Sequence, residues 1–193
     1  MTGNATVDRH ERRPAVKMTC EDSATVVLPS GHEVVVRPIA HDDAKEIASG
    51  FLRLSAESRF RRFAAGIPRL SGSQLNYLTK VDHHDHEALV ALAPGRTDII
   101  GVARFVRSRT QPDSAEIAVT IADGWQRRGL GTSLLCRLVD RARAEGITRI
   151  TAEIMSDNRG MQALFRHLGP TTVKVDGSVV ADITRRESPG EPG

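Results

Sequence analysis

The stretch Ala115-Glu116-Ile117-Ala118-Val119-Thr120-Ile121, followed four residues later by Gln126-Arg127-Arg128-Gly129-Leu130-Gly131-Thr132, decides the fold. The first run is short, apolar and rich in β-branched residues, which reads as a strand. Within the second run a helix begins, because Leu130, Leu134, Leu135, Leu138, Val139 and Ala142 recur at helical spacing until Gly146 stops them. A strand that turns through glycines into a helix start suits an anion. The first N–H groups of a helix lack intrahelical partners, and the dipole there favours negative charge. Gly129 and Gly131 carry no Cβ to keep a ligand off the backbone, and Arg127 and Arg128 add cationic donors. Neither G-x-G-x-x-G nor a loop ending in Gly-Lys-Ser/Thr occurs, so dinucleotide and Walker-type phosphate loops fit less well.

Working outward, Val34 to Ile39 is a strand ended by Pro38, and Asp42 or Asp43 caps a helix with Ala44, Ile47, Ala48 and Phe51 on one face. Ser55 to Phe63 and Ser71 to Lys80 read as short helices, the first with Phe60 and Phe63 inward and arginines outward. Ala88 to Leu92 and Ile99 to Val106 form a strand pair through Pro94-Gly95. After the decisive stretch come a strand over Ile147 to Met155 and a helix capped by Ser156 or Asp157, carrying Met161, Leu164, Phe165 and Leu168. A hairpin, Thr171 to Val175 and Ser178 to Thr184, turns at Asp176-Gly177. Residues 1–25 and 187–193 read as flexible tails by composition, leaving one domain over 26–186.

A chain of 193 residues, 39% hydrophobic and 26% charged, is that of a globular protein with one sizeable core. No apolar run approaches the roughly 20 residues of a membrane span, and the first residues lack the apolar core of a secretory signal. A cytoplasmic location is therefore expected. Cys136, set among leucines, reads as a small buried apolar residue. The basic residues comprise four lysines and 23 arginines, which match phosphates bidentately. Few aromatics (4%) and no recognisable binding motif speak against nucleic acid. The run Asp82-His83-His84-Asp85-His86-Glu87 holds potential metal ligands, but contiguous side chains ahead of a strand diverge. It reads as a solvated loop without metal.

The Gln/Arg-x-x-Gly-x-Gly loop, with the order of strands and helices around it, resembles the GNAT superfamily of acyl-coenzyme A-dependent N-acyltransferases. The resemblance implies an α/β fold with a mixed, mostly antiparallel twisted sheet of six to seven strands. It implies acetyl-CoA as acyl donor, held where strands splay before Gln126 by Val119, Thr120, Ile121, Arg127, Arg128, Gly129, Leu130, Gly131, Thr132 and Asn158. Arg37-Pro38-Ile39, Leu54 to Phe63 and Leu78 to Asp82 are further similar to the acetyltransferase domain of bacterial protein lysine acetyltransferases. That likeness implies a protein partner offering an acceptor lysine, with Glu116 as general base. Partial burial on its strand would raise the carboxyl pKa and let it take the ammonium proton. Glu116 also reads as a salt-bridged strand glutamate, and Asn158 as a helix cap. Phe165 stands where many relatives carry a tyrosine that protonates the leaving thiolate. A small-molecule amine acetyltransferase and an inactive coenzyme A-binding module remain as alternatives.

Overall fold

The computed structural model describes residues 23–63, 66–168, 171–173 and 178–184. Both expected tails fall mainly outside these residues, as do Cys20, Gly169-Pro170 and the Asp176-Gly177 turn. One mixed sheet has the strand order β1-β2-β3-β4-β5-β6-β8-β7. The strands are β1 (Ala24–Val27), β2 (Glu33–Pro38), β3 (His86–Leu92), β4 (Ile99–Arg107), β5 (Ser114–Ile121), β6 (Arg149–Glu153), β7 (Thr171–Val173) and β8 (Ser178–Asp182). Every neighbouring pair is antiparallel except β5 and β6. The sheet thus has one strand more than the sequence suggests. Ala24 and Thr25, read as tail, pair with Val36 and Val35, so the domain starts earlier. Four residues that alternate half-buried and exposed are too short to show a period.

Helix α4 (Leu130–Ala144) covers one face of the sheet. It buries Leu130, Leu134, Leu135, Leu138, Val139 and Ala142 against Leu89, Ala91, Ala103, Phe105, Ala115 and Ile117. At about 1.5–3 kcal/mol for each buried large side chain, this face contributes most of the apolar stabilisation. Helices α1 (Ala44–Arg53) and α3 (Gly72–Thr79) close the other face over Ile39, Ala88, Val90 and Ile99. Alternation along β3 divides the two cores, with Leu89 and Ala91 facing α4 and Ala88 and Val90 facing α1 and α3. Asp43 precedes α1 without capping it through its side chain. Its carboxylate instead grips both terminal nitrogens of Arg37 at 2.7 Å and accepts the Ala40 N–H. Although burial pushes the Asp43 carboxyl up, those bonds hold it below the usual range.

The acidic and histidine-rich run is a solvated loop only as far as Asp85, with Asp82, His84 and Asp85 exposed, and its last two residues begin β3. Glu87 is fully buried on the α4 face, where it accepts from Arg141 (2.9 Å) and the Ala88 N–H (2.8 Å) and pairs with His83 (2.7 Å). Asp82 caps the turn by accepting the N–H groups of His84, Asp85 and His86. Alternation explains the error: Glu87 shares the inward face with Leu89 and Ala91, and a charge at the strand's start hid its place in the period. Among the described residues no group of three or more His, Cys, Asp or Glu is placed to hold a metal ion. Glu87→Ala removes the buried acceptor shared by His83 and Arg141, so it should destabilise the fold by about 3 kcal/mol or more. Denaturant unfolding checks this, and an unchanged midpoint would show that the hub is neutral.

Candidate active site

Strands β5 and β6 run parallel and pair only through Ser114↔Arg149, Ala115↔Ile150 and Glu116↔Thr151. Beyond Glu116 they part, and β5 continues to Ile121 paired with β4 on one edge and beside a gap on the other. The Ala122 N–H donates to the Ile100 carbonyl on β4 (2.9 Å), so by alternation Val119 and Ile121 direct their backbone groups away from β4 into that gap. Thr120 lies the other way round, and its side chain lines a cavity on the α1 face. Gln126 already reaches the gap, donating through Nε2 to the Ile121 carbonyl at 3.2 Å.

The turn at the end of β5 leads into α4 with Gly129 as N-cap in a left-handed conformation (φ 86°), and no side chain caps the helix. Intrahelical bonding begins with the Ser133 N–H on the Gly129 carbonyl, which leaves the amides of Leu130, Gly131 and Thr132 for a ligand. Leu130 sends its side chain wholly into the core and offers only backbone. Arg127, also at positive φ (58°), is exposed. Arg128 is committed to its neighbours, 5.2 Å above the Trp125 ring and 3.1 Å from His32 Nε2. A Cβ at Gly131 would meet both methyl groups of Leu164 at 3.4 Å, an ordinary contact, so packing alone does not demand glycine there. Leu164 belongs to α5 (Arg159–Arg166), which therefore closes on the first turn of α4.

Residues the sequence reading passed over hold this loop in place. Ser30 donates to the Arg128 carbonyl, and His32 meets Trp125 edge-on, so the β1–β2 turn buttresses it from one side. From the other, Asp123 accepts the Ser55 N–H and the hydroxyls of Ser55 and Ser58, tying the loop to α2 (Ala56–Phe63). Burial raises the Asp123 carboxyl, yet these donors hold it below its ordinary value. Arg61 on α2 bonds Glu57 and also reaches Asp157, in the segment between β6 and α5. The lone tryptophan ahead of the glycines was the available signal for the buttress.

Glu116 stands at the last paired position before β5 and β6 part, on the same face as Thr120. It is exposed, contrary to the expected partial burial. Helix α2 packs on β5, but none of its own side chains is fully buried, so the carboxylate stays open to solvent. The half-buried Arg62 of α2 is its electrostatic neighbour. Asn158 is itself the N-cap of α5, accepting the Met161 N–H at 3.1 Å in place of Ser156 or Asp157. Among the described residues its amide nitrogen has no hydrogen-bond partner. Phe165 is buried in the core.

Two other expectations fail on helix geometry. Cys136 is exposed, because it falls on the face of α4 opposite Leu134, Leu138 and Ala142. Phe60 is 47% exposed, and α2 turns Arg59, Arg62 and Phe63 inward instead. Arg59 stacks over Phe51, and Phe63 meets Phe51 edge-on. Stacked guanidinium groups read as polar in the sequence but pack as flat apolar faces.

The profile of the acetyltransferase (GNAT) family matches residues 53–169. Acetyltransferase Pat of Mycolicibacterium smegmatis is 32% identical over 155 residues, covering 80% of this chain but only 46% of Pat. The chain thus spans about half the length of that relative. Acetyltransferase PA5475 of Pseudomonas aeruginosa is 32% identical over 144 residues, covering 74% of this chain and 77% of its own. Among solved structures, the GNAT domain of S. lividans PAT superposes with a TM-score of 0.78 at 32% identity, over 86% of this chain and 98% of that domain. Among the described residues no helix is long and apolar enough to cross a membrane.

Gly129 is the position where the turn tolerates no side chain. A Cβ there would lie 2.5 Å from Pro29 Cδ at a φ that L-residues rarely adopt. Gly129→Ala should therefore cost about 2 kcal/mol or more, read as a lowered unfolding midpoint. An unchanged midpoint would mean that the turn relaxes freely.

Proposed function

The chain belongs to the acetyltransferase (GNAT) family, and from that premise we propose that it transfers the acetyl group of acetyl-CoA to lysine side chains of protein substrates. The observation that carries the donor half is the uncapped first turn of α4 at the mouth of the β5–β6 gap. The amides of Leu130, Gly131 and Thr132, with Arg127, Arg128 and Gly129 beside them, suit a pyrophosphate. Backbone groups of Val119 and Ile121 line the gap that a pantetheine arm would occupy, and the Asn158 amide lies at the start of α5 beside it. This donor set is cationic and rich in N–H groups, which is what an anionic thioester requires.

The lysine acceptor is supported by the likeness of Leu54 to Phe63 and Leu78 to Asp82 to bacterial protein lysine acetyltransferases. In the reaction the amine nitrogen forms a C–N bond to the thioester carbonyl carbon, the C–S bond breaks, and the thiolate leaves. An ammonium with a reference pKa of about 10.4 must first lose a proton. Glu116 is the acceptor in this reading, supported by its position where the strands part. Its role rests on position and not on desolvation. No hydroxyl at Phe165 serves the leaving thiolate, which takes its proton from solvent, since a thiol pKa near 8.5 makes it a tolerable leaving group.

Glu116 is exposed and makes no hydrogen bond or ion pair within the described residues, so Glu116→Gln should leave the unfolding midpoint and the affinity for coenzyme A nearly unchanged. With an acyl-CoA synthetase as acceptor, turnover at pH 7 should drop by about 10²–10⁴. The defect should shrink as pH rises and more acceptor amine is already neutral. A well-folded variant that acetylates at the wild-type rate would sink the assignment. Faster turnover on polyamines, aminoglycosides or amino acids than on any protein would replace the acceptor class.

A further inference from the structure

On the face of the sheet opposite α4 lies a cavity that the strand and loop motifs do not foretell. Its walls are apolar, built from Phe51 and Leu54 of the α1 region, Phe63 of α2, Leu78 of α3 and Val102 of β4. Two arginines break that wall, Arg62 and Arg104. Arg104 is 4% exposed and gives one bond to the Leu78 carbonyl and one to His86 Nε2, both uncharged acceptors. Burial, with the Arg104 guanidinium next, holds His86 down at about 4, so it stays neutral beside that charge. Arg62 stacks over the Phe63 ring at 4.9 Å. Within the described residues neither guanidinium has a carboxylate within ion-pair distance. A buried and a half-buried like charge side by side are costly, and neither has a carboxylate in direct contact, the exposed Glu116 being only an electrostatic neighbour of Arg62.

We propose that this cavity is a carboxylate-recognition site, in which Arg62 and Arg104 take the anion of a short aliphatic acid and the apolar wall takes its methylenes. The planar forks of two guanidinium groups suit a carboxylate bidentately. Burial lowers the pKa of both arginines, Arg104 to about 10, and the charge of Arg62 adds to the effect on Arg104. Arg104, at about 10, remains protonated at neutral pH, and an anion beside the two guanidinium groups would relieve their repulsion. The cavity adjoins the reacting centre: Thr120 of β5 lines it, and Arg62 is coupled to Glu116. It therefore selects part of a reactant, a proposal that rests on the acyltransferase reading above. The carboxylate comes either from the far end of a dicarboxylic acyl chain or from an acidic residue beside the acceptor lysine.

Two arms distinguish these sources. In the first, calorimetry compares the binding of succinyl-CoA with that of 4-methylpentanoyl-CoA, which has the same shape without the charge. In the second, with acetyl-CoA as donor, KM is compared for lysine peptides carrying Glu or Gln next to the acceptor. One arm should favour the charged reactant by about tenfold to a hundredfold, as expected for a charge-assisted hydrogen bond. Arg62→Met should abolish that ratio, and Arg62→Lys should restore part of it. Loss of fold alone would weaken both members of a pair equally and leave the ratio standing. No charge preference in either arm, or a preference that survives Arg62→Met, overturns the proposal. If coenzyme A itself fails to bind the wild-type protein, the acyltransferase reading falls first. If it binds and the ratio is flat, only the carboxylate site falls.

Discussion

Parallel strands cannot be joined by a tight turn, so a chain that sets β5 beside β6 must cross the sheet between them. Helix α4 makes that crossing, and its start is therefore fixed at the end of β5. The rest of the site depends on this constraint. Because the pairing lasts only three residues, the end of β5 keeps its outward backbone groups unpaired by β6. The uncapped first turn of α4 stands at the mouth of the same opening. Strand edge and helix start are both rich in backbone donors, and together they make an elongated polar slot in an otherwise apolar domain.

Rigidity is built around that slot and not within it. The leucine face of α4 locks the helix to the sheet, and Glu87 with Arg141 pins it from beneath. The β1–β2 turn and the Asp123–Ser55–Ser58 bonds hold the loop from two sides. Helix α2 thus has two duties. Its start anchors the loop through Asp123, and its Arg62 lines the cavity on the sheet face opposite α4.

Much of this was legible in the sequence, for identifiable reasons. Long periodic segments such as α4 and β4 were plain, and the glycines that end β5 marked the loop. The fold class followed from the family resemblance that the loop and the order of these elements carry. What escaped was short or depended on packing partners. β1 has four residues and no readable period. Cys136 sits in an apolar neighbourhood of sequence yet on the outer face of its helix. Phe60 and Arg62 exchanged expected roles, because hydrophobicity ranks side chains while stacking ranks surfaces. Glu116 was placed correctly on its strand, but its exposure depends on what covers that strand, which one segment cannot disclose. Arg104 was visible as a charge inside an apolar run, and its meaning appeared only when Arg62 came beside it.

The central claim is that an acyl-coenzyme A lies along β5 with its phosphates on the first turn of α4. Amide hydrogen exchange tests it most directly, because the N–H groups of Leu130, Gly131 and Thr132 have no intrahelical acceptor and those of Val119 and Ile121 face the gap. Adding coenzyme A should slow exchange in peptides spanning 117–121 and 127–133. Slowed exchange confined to other parts of the sheet, with these two segments unchanged while coenzyme A is bound, would contradict the account.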